Sequence, residues 1–284
     1  VLCTVGSGNP SACLDAHIQL SPDAALALKH MDEVRVSFGT SSVGASVRIF
    51  GGARISPADS GYVQLRFKEP VVAFAGQRGV VRRLSPSETI GGAVFIDPQA
   101  TLAKSGDKKR VAVLEAAQTQ DAKVIAKALC CSHGGVARLS DVSRISRTTL
   151  HAADLQLSDS FQTLGDDKIS TTENIVACQT DVLNFLAAFH RAYPLCAMAP
   201  HKIIAQSGTS PALVQHAIST LLARRQIRQK DNKFAVYQHD PMALLSGAQG
   251  GRLTDIENAF RKAGLAPLKL ENLIQNQLDM DLLE

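Results

Sequence analysis

RRLSPSETIGGAVFIDP, residues 82–98, decides how the first third of this chain is read. Two arginines end one apolar-alternating run, and Ser85-Pro86-Ser87 supplies turn residues. A second run then passes through Gly91-Gly92 and stops at Asp97-Pro98. Alternation on both sides of a short polar turn is the pattern of neighbouring strands. The double glycine inside a strand, and the abrupt stop, need an explanation from their surroundings.

Upstream, LDAHIQL (14–20) places Leu14, Ala16, Ile18 and Leu20 on one side, and EVRVSF and VGASVRIF continue the same period. GYVQLRFKE, GVVRRL and GGAVFI follow at short intervals, separated by SPADS, FAGQ and SPSET. Six half-buried strands before Pro98 are expected, in the rhythm of an all-β sandwich or small barrel.

Downstream the texture changes. TLAKSGDKKR (101–110) is polar, and RVAVLEAAQTQDAKVIAKALCC repeats apolar residues at helical spacing with Asp107 available as N-cap, so a domain boundary is expected at about 100–108. Then come a short helix, a turn at Arg144 to Ser146, a second helix and a hairpin with Gly165-Asp166 at its tip.

The order returns in TENIVACQTDVLNFLAAFHRA, PHKIIAQSG and TSPALVQHAISTLLARRQ, with Pro211 at a first turn, followed by a hairpin turning at Asp231-Asn232. Two passes of roughly 65 residues make a tandem repeat. Three helices and a hairpin form a winged helix, whose third helix and wing are suited to nucleic acid. A third unit starts at LTDIENAFRKAG, with Leu253, Ile256 and Phe260 on one stripe and a further helix expected over 268–278.

Charge is uneven. The net +4 conceals 17 basic against 12 acidic residues over 101–245. In the second winged helix Val214, Ala217, Ile218, Leu221 and Leu222 are expected inside, and Ser210, Gln215, His216, Ser219 and Thr220 outside. Arg224, Arg225, Arg228, Lys230 and Lys233 then crowd the helix end and wing, where phosphates could sit; a solvated basic face is the plain alternative. In the first unit aspartates dilute Arg138, Arg144 and Arg147, which favours a spacer role.

Six cysteines without C-x-x-C spacing fit reduced thiols in a cytoplasmic protein. No 18-residue apolar run or signal-peptide order indicates a membrane. No phosphate loop, nucleophile elbow or H-E-x-x-H pair occurs, so neither catalytic nor metal-binding residues are assigned. CCSH (130–133) reads as the close of an apolar helix, and His17, His30, His151 and His190 as surface or satisfied residues.

Residues 61–98, with VRVSFGTSSVGASVRIFGG before them and the tandem winged helices behind, resemble the C-terminal portion of bacterial selenocysteine-specific elongation factors. The 61–98 stretch is similar to the end of the third domain of translational GTPases, where an arginine-bearing strand, a turn and a TIGGG-like strand close a six-stranded barrel. Here Ala93 replaces the third glycine. The resemblance implies a multidomain β + α fold, a β-barrel followed by tandem winged helices. It partitions the chain into residues 1–12 as the end of a preceding barrel and linker, 13–100 as barrel, 107–170 and 171–240 as winged helices, and 251–284 as a truncated third.

It further implies delivery of selenocysteyl-tRNA to the ribosome at recoded UGA codons, with an mRNA hairpin as the other RNA partner. The barrel faces tRNA, and the winged helices act as a spacer in a monomeric chain. GTP and magnesium belong to a family domain this sequence lacks, so no cofactor is expected in it.

Within that frame Arg82 or Arg83 points out of the barrel as an RNA-contact candidate, while Gly91 and Gly92 are architectural, permitting a bend or bulge as the sheet closes. The rival class is a stand-alone winged-helix DNA-binding regulator with a β sensor domain, which should dimerise on half-sites. An enzyme with an unrecognised site is the third class, and no nucleophile, base and orienting group emerge to support it.

Overall fold

A computed structural model describes residues 8–151, 160–165, 167–240, 243, 245 and 247–264. The chain divides into two compact units, Val1–Thr171 and Thr172–Glu284.

In the first unit β1 (Ser11–Leu20), β2 (Leu28–Lys29), β3 (Glu33–Phe38), β4 (Ser41–Ile49), β5 (Arg54–Ile55), β6 (Ser60–Val71), β7 (Arg78–Arg83) and β8 (Glu88–Asp97) precede Pro98. Six of them close into an antiparallel barrel in the order β1-β6-β4-β3-β7-β8, with β8 returning to β1. The two extra strands, β2 and β5, pair only with each other and are too short to show a period. β1 starts two residues ahead of the expected barrel boundary, and residues 1–7 of the expected preceding segment lie outside the described residues.

Period-two patterning builds the core. Leu14, Ala16, Ile18 and Leu20 are fully buried, and Phe95 meets Phe38 edge-on at 5.1 Å. Each large apolar side chain so enclosed contributes roughly 1.5 to 3 kcal/mol.

The helices that follow are α1 (Lys108–Gln118), α2 (Ala122–Ser132) and α3 (Leu139–Ser146), with β9 (Ala137–Arg138), β10 (Phe161–Thr163) and β11 (Lys168–Thr171) in a three-stranded sheet. Asp107 caps α1, accepting from the Arg110 amide at 3.0 Å. The single helix expected over 110–131 is two. Gln120 is left-handed at φ 56°, and Asp121 caps the second helix by accepting from the Lys123 amide. Short polar side chains at Thr119 and Asp121 compete for backbone groups, while the apolar period runs on and hides the break. α3 runs through the expected turn to Ser146, where Arg147 stops it at φ 62°. Of the helix expected next, 152–159 lies outside the described residues, as does Asp166 of the hairpin tip.

The change of texture at 100–108 marks a change of secondary structure inside one compact unit. Gln64 Nε2 donates to the Thr101 carbonyl at 3.0 Å, Arg66 Nη2 donates to the Ala103 carbonyl at 2.8 Å, and the Ala103 amide donates to Gln64 Oε1 at 3.2 Å. Phe50 and Ile96 leave the barrel to join the core of α1, α2 and α3. The stretch is polar because its backbone is held by side chains, not because two bodies part there.

The second unit contains α4 (Thr172–Ala192), α5 (Pro200–Ser207), α6 (Pro211–Ala223), β12 (Ile227–Lys230), β13 (Lys233–Val236) and α7 (Gly247–Ala263). Pro200 and Pro211 open their helices, where a missing N–H costs nothing. Asp231 (φ 49°) and Asn232 (φ 56°) are both left-handed, the requirement of a tight hairpin that follows strand twist. Met198 pairs with Phe234 and extends the wing sheet by one bridge. On α7 Ile256 is buried, Leu253 half-buried and Phe260 exposed. The helix expected over 268–278 lies outside the described residues.

Candidate nucleic-acid interface

The second unit carries a concentrated set of exposed cations. Val214, Ala217, Ile218 and Leu221 on α6 are buried as expected, Leu222 is half-buried, and Leu213 joins the buried set. That leaves Gln215 and Ser219 exposed, and Ser210, His216 and Thr220 half-buried. Ser219 and Thr220 turn their hydroxyls back to the Gln215 and His216 carbonyls, so α6 offers few uncommitted donors on this face.

The cations begin where the helix ends. Arg224, Arg225, Arg228, Lys230 and Lys233 are all exposed. Arg225 is left-handed at φ 53° and turns the chain into β12. Register places Lys230 directly opposite Lys233, a like-charge pair that costs stability across a hairpin. None of the five takes part in an ion pair among the described residues. Arg228 Nη2 donates weakly to the His239 carbonyl at 3.3 Å.

Between this wing and residues 194–197 lies a groove of about 500 Å³, lined by Arg228, Lys230, Lys233 and His239. A row of rings reaches the groove at His239. Tyr193 lies 5.1 Å from Phe189, Phe189 6.3 Å from His190, and His190 stacks on His239 at 3.8 Å. Lys202 sits over Phe189. His190 is therefore neither a surface nor a satisfied histidine: it is buried and its Nε2 has no hydrogen-bond partner. Burial, aided by His239 and Arg228, pushes the imidazole down to about 4. The signal that could have exposed it is its place on the inward stripe of α4 with Val182 and Leu186.

The first unit spends its cations differently. Arg110 bridges two buried carboxylates, its Nε donating to Asp15 Oδ2 and its Nη2 to Asp97 Oδ2 at 2.7 Å. Arg144 Nε donates to Asp97 Oδ1 at 3.0 Å and its Nη1 to Asp141 at 2.7 Å. Burial pushes the Asp15 carboxyl up to about 6 against the pull of Arg110. Burial opposes ionisation of Asp97 too, yet Arg144 and Arg110 together hold it below the usual carboxylate range. This explains the stop at Asp97-Pro98: the strand ends on a carboxylate whose oxygens are taken by two helices and by the Gln99 amide. Sequence reading missed the network, although Asp15 lies within the core-forming part of β1 and Asp97 closes the apolar run of β8.

Of the barrel candidates, Arg82 is exposed and Arg83 is not free. Arg83 Nη2 donates to the Leu26 and Ala27 carbonyls, and Nη1 lies 3.7 Å from Asp32. The two arginines thus divide as strand alternation requires: Arg82 faces solvent and Arg83 pins a loop. The glycines divide as well. A Cβ on Gly91 would stand 2.2 Å from the Gln19 carbonyl oxygen, whereas on Gly92 its nearest neighbour would be 3.8 Å away. The β7–β8 register shifts at Val81/Arg82, opposite the first glycine. Cys130 is buried in α2 and His133 caps its end.

A closed six-stranded antiparallel barrel followed by helices and short hairpins defines the chain as a mixed β and α protein. Residues 15–101 match the family model described as the beta-barrel domain of selenocysteine-specific elongation factor. The chain is 25% identical over 274 residues to the selenocysteine-specific elongation factor of Desulfomicrobium baculatum, covering 91% of this chain and 42% of that protein. A crystal structure of a bacterial selenocysteine-specific elongation factor shares the fold, with TM-score 0.58 and 14% identity, over 89% of this chain and 38% of that one. Residues 15–101 are thus similar to the barrel domain of selenocysteine-specific elongation factors, and the similarity to one such factor runs along most of the chain. It spans less than half the length of the relative it matches.

Proposed function

We propose that this chain works as part of a selenocysteine-specific translation elongation factor delivering selenocysteyl-tRNA to the ribosome at recoded UGA codons. In this reading the barrel faces the tRNA, the winged helices bridge toward an mRNA hairpin, and the chain positions RNA without doing chemistry. GTP and magnesium would act in a GTP-binding domain of the whole factor, since the matched family segment is the barrel. Cytoplasmic location follows from translation as the task; among the described residues no helix is long and apolar enough to cross a membrane.

The observation that carries the RNA role is the wing. Five exposed cations, two of them facing each other across a hairpin, are retained at a cost to folding that an anionic partner offsets. Outward Arg82 is the corresponding barrel contact, and Arg83 supports its loop.

The test is equilibrium titration of the chain with a structured RNA and with an unrelated DNA duplex at two salt concentrations. RNA binding that weakens steeply with salt is expected. Sequence-specific DNA binding by a dimer would replace this reading with that of a regulator.

A further inference from the structure

We infer that the groove between the second wing and residues 194–197 binds a single-stranded RNA segment, holding phosphates on the wing and an unpaired base against Tyr193. The inference deepens the RNA reading above and rests on it.

Single-strand sites combine a basic groove that follows the backbone with aromatic faces on which bases stack. A basic groove occurs here, and an exposed ring, Tyr193, adjoins in sequence the residues of its other wall. Arg228, Lys230 and Lys233 line one wall, and among the described residues no carboxylate lines the groove. The other wall, 194–197, begins immediately after Tyr193, whose carbonyl accepts from the Cys196 amide at 3.2 Å and so ties the ring-bearing residue to the groove's rim.

Tyr193 is half exposed although it is a large ring, in a chain with three tyrosines and no tryptophan. One side of it is backed by Phe189, which is in turn stiffened by its neighbours His190 and Lys202. A ring held from behind and open in front costs little further ordering when a base stacks on it.

The geometry disfavours a duplex as the occupant. Groove readers of duplexes present the third helix, yet the hydroxyls of Ser219 and Thr220 on α6 donate to the helix's own carbonyls and no Lys or Arg appears on that helix before Arg224. The charge lies instead along a groove of about 500 Å³ beside the wing, which suits a flexible single-stranded backbone.

The experiment is anisotropy titration of the full chain with an unstructured RNA of roughly ten nucleotides, enough for one such site, and with the blunt duplex of the same sequence. The single strand should bind more tightly. Tyr193→Ala should weaken single-strand binding about 5- to 100-fold, and Tyr193→Phe should restore it. Lys230→Ala with Lys233→Ala should reduce the log–log salt slope by about 1.4, near 0.7 per phosphate contact on a single strand. Circular dichroism of each variant confirms the fold. Equal or tighter duplex binding, or a Tyr193→Ala variant that binds like the parent, would overturn the inference while leaving salt-dependent RNA binding in place. No salt-dependent binding of either RNA would sink the broader reading with it.

Discussion

Two helix-and-wing units share one plan and use arginine in opposite ways. In the first, buried Arg110 and half-buried Arg144 are paired with Asp15, Asp97 and Asp141, and the barrel and helices form one compact unit. In the second, Arg224, Arg225 and Arg228 stand in solvent with Lys230 and Lys233. The difference comes from what each plan is packed on. A barrel strand bearing a buried carboxylate converts a neighbouring cation into structure, whereas the wing cations, with Asp231 at their turn, form no ion pair among the described residues and stay in solvent.

The largest expected effect lies in the buried network. Arg110→Ala leaves Asp15 and Asp97 buried beside a lost partner, and should cost the first unit about 3 to 5 kcal/mol. Urea denaturation followed by probes in each unit should show the loss in Val1–Thr171 alone; an equal loss in both units would break the contrast. Next comes the barrel seam. Gly91→Ala forces backbone apart at Gln19 and should cost about 1 to 3 kcal/mol, while Gly92→Ala, with ordinary contacts, should lie within about 0.5 kcal/mol of the parent. Equal costs would show that the two glycines serve one bend.

A third expectation concerns acid. The folded-state value of His190 is depressed to about 4 from 6.5, so the unfolded chain takes up its proton first as pH falls. The stability of the second unit should be full above pH 6.5 and decline between 6.5 and 4, read as melting temperature against pH. His190→Phe should flatten that slope. The smallest effect separates stability from binding: Lys230→Glu places opposite charges across the hairpin, and should stabilise it by roughly 0.2 to 1 kcal/mol while weakening RNA binding. Loss of both together would mean that the wing cations serve the fold.

Much of this architecture was legible because it rests on periodicity and turn chemistry. Leu14 to Leu20 alternate into the core, Asp107 caps a helix, and Asp231-Asn232 turn a hairpin, each as local sequence requires. What stayed hidden depends on partners distant in sequence. Asp15 meets Arg110 across 95 residues, and the polar stretch at about 100–108 looked like a free linker because the holders of its first residues, Gln64 and Arg66, lie on a strand. At the candidate site the cations were readable from composition, but the groove beside them and the burial of His190 were not. Both depend on the fold bringing 190–197 to 228–239.

The closed barrel has a colloidal consequence. Each of its six strands has two partners, so none offers a bare row of amides and carbonyls to another molecule. The wing sheet is different: β13 is bridged by Met198, and β12 is bonded along one side only. β12 is thus a place where a second chain could add a strand, and Arg228 and Lys230 stand on it. The wing charges also make edge-to-edge pairing repulsive, so neutralising them invites strand addition.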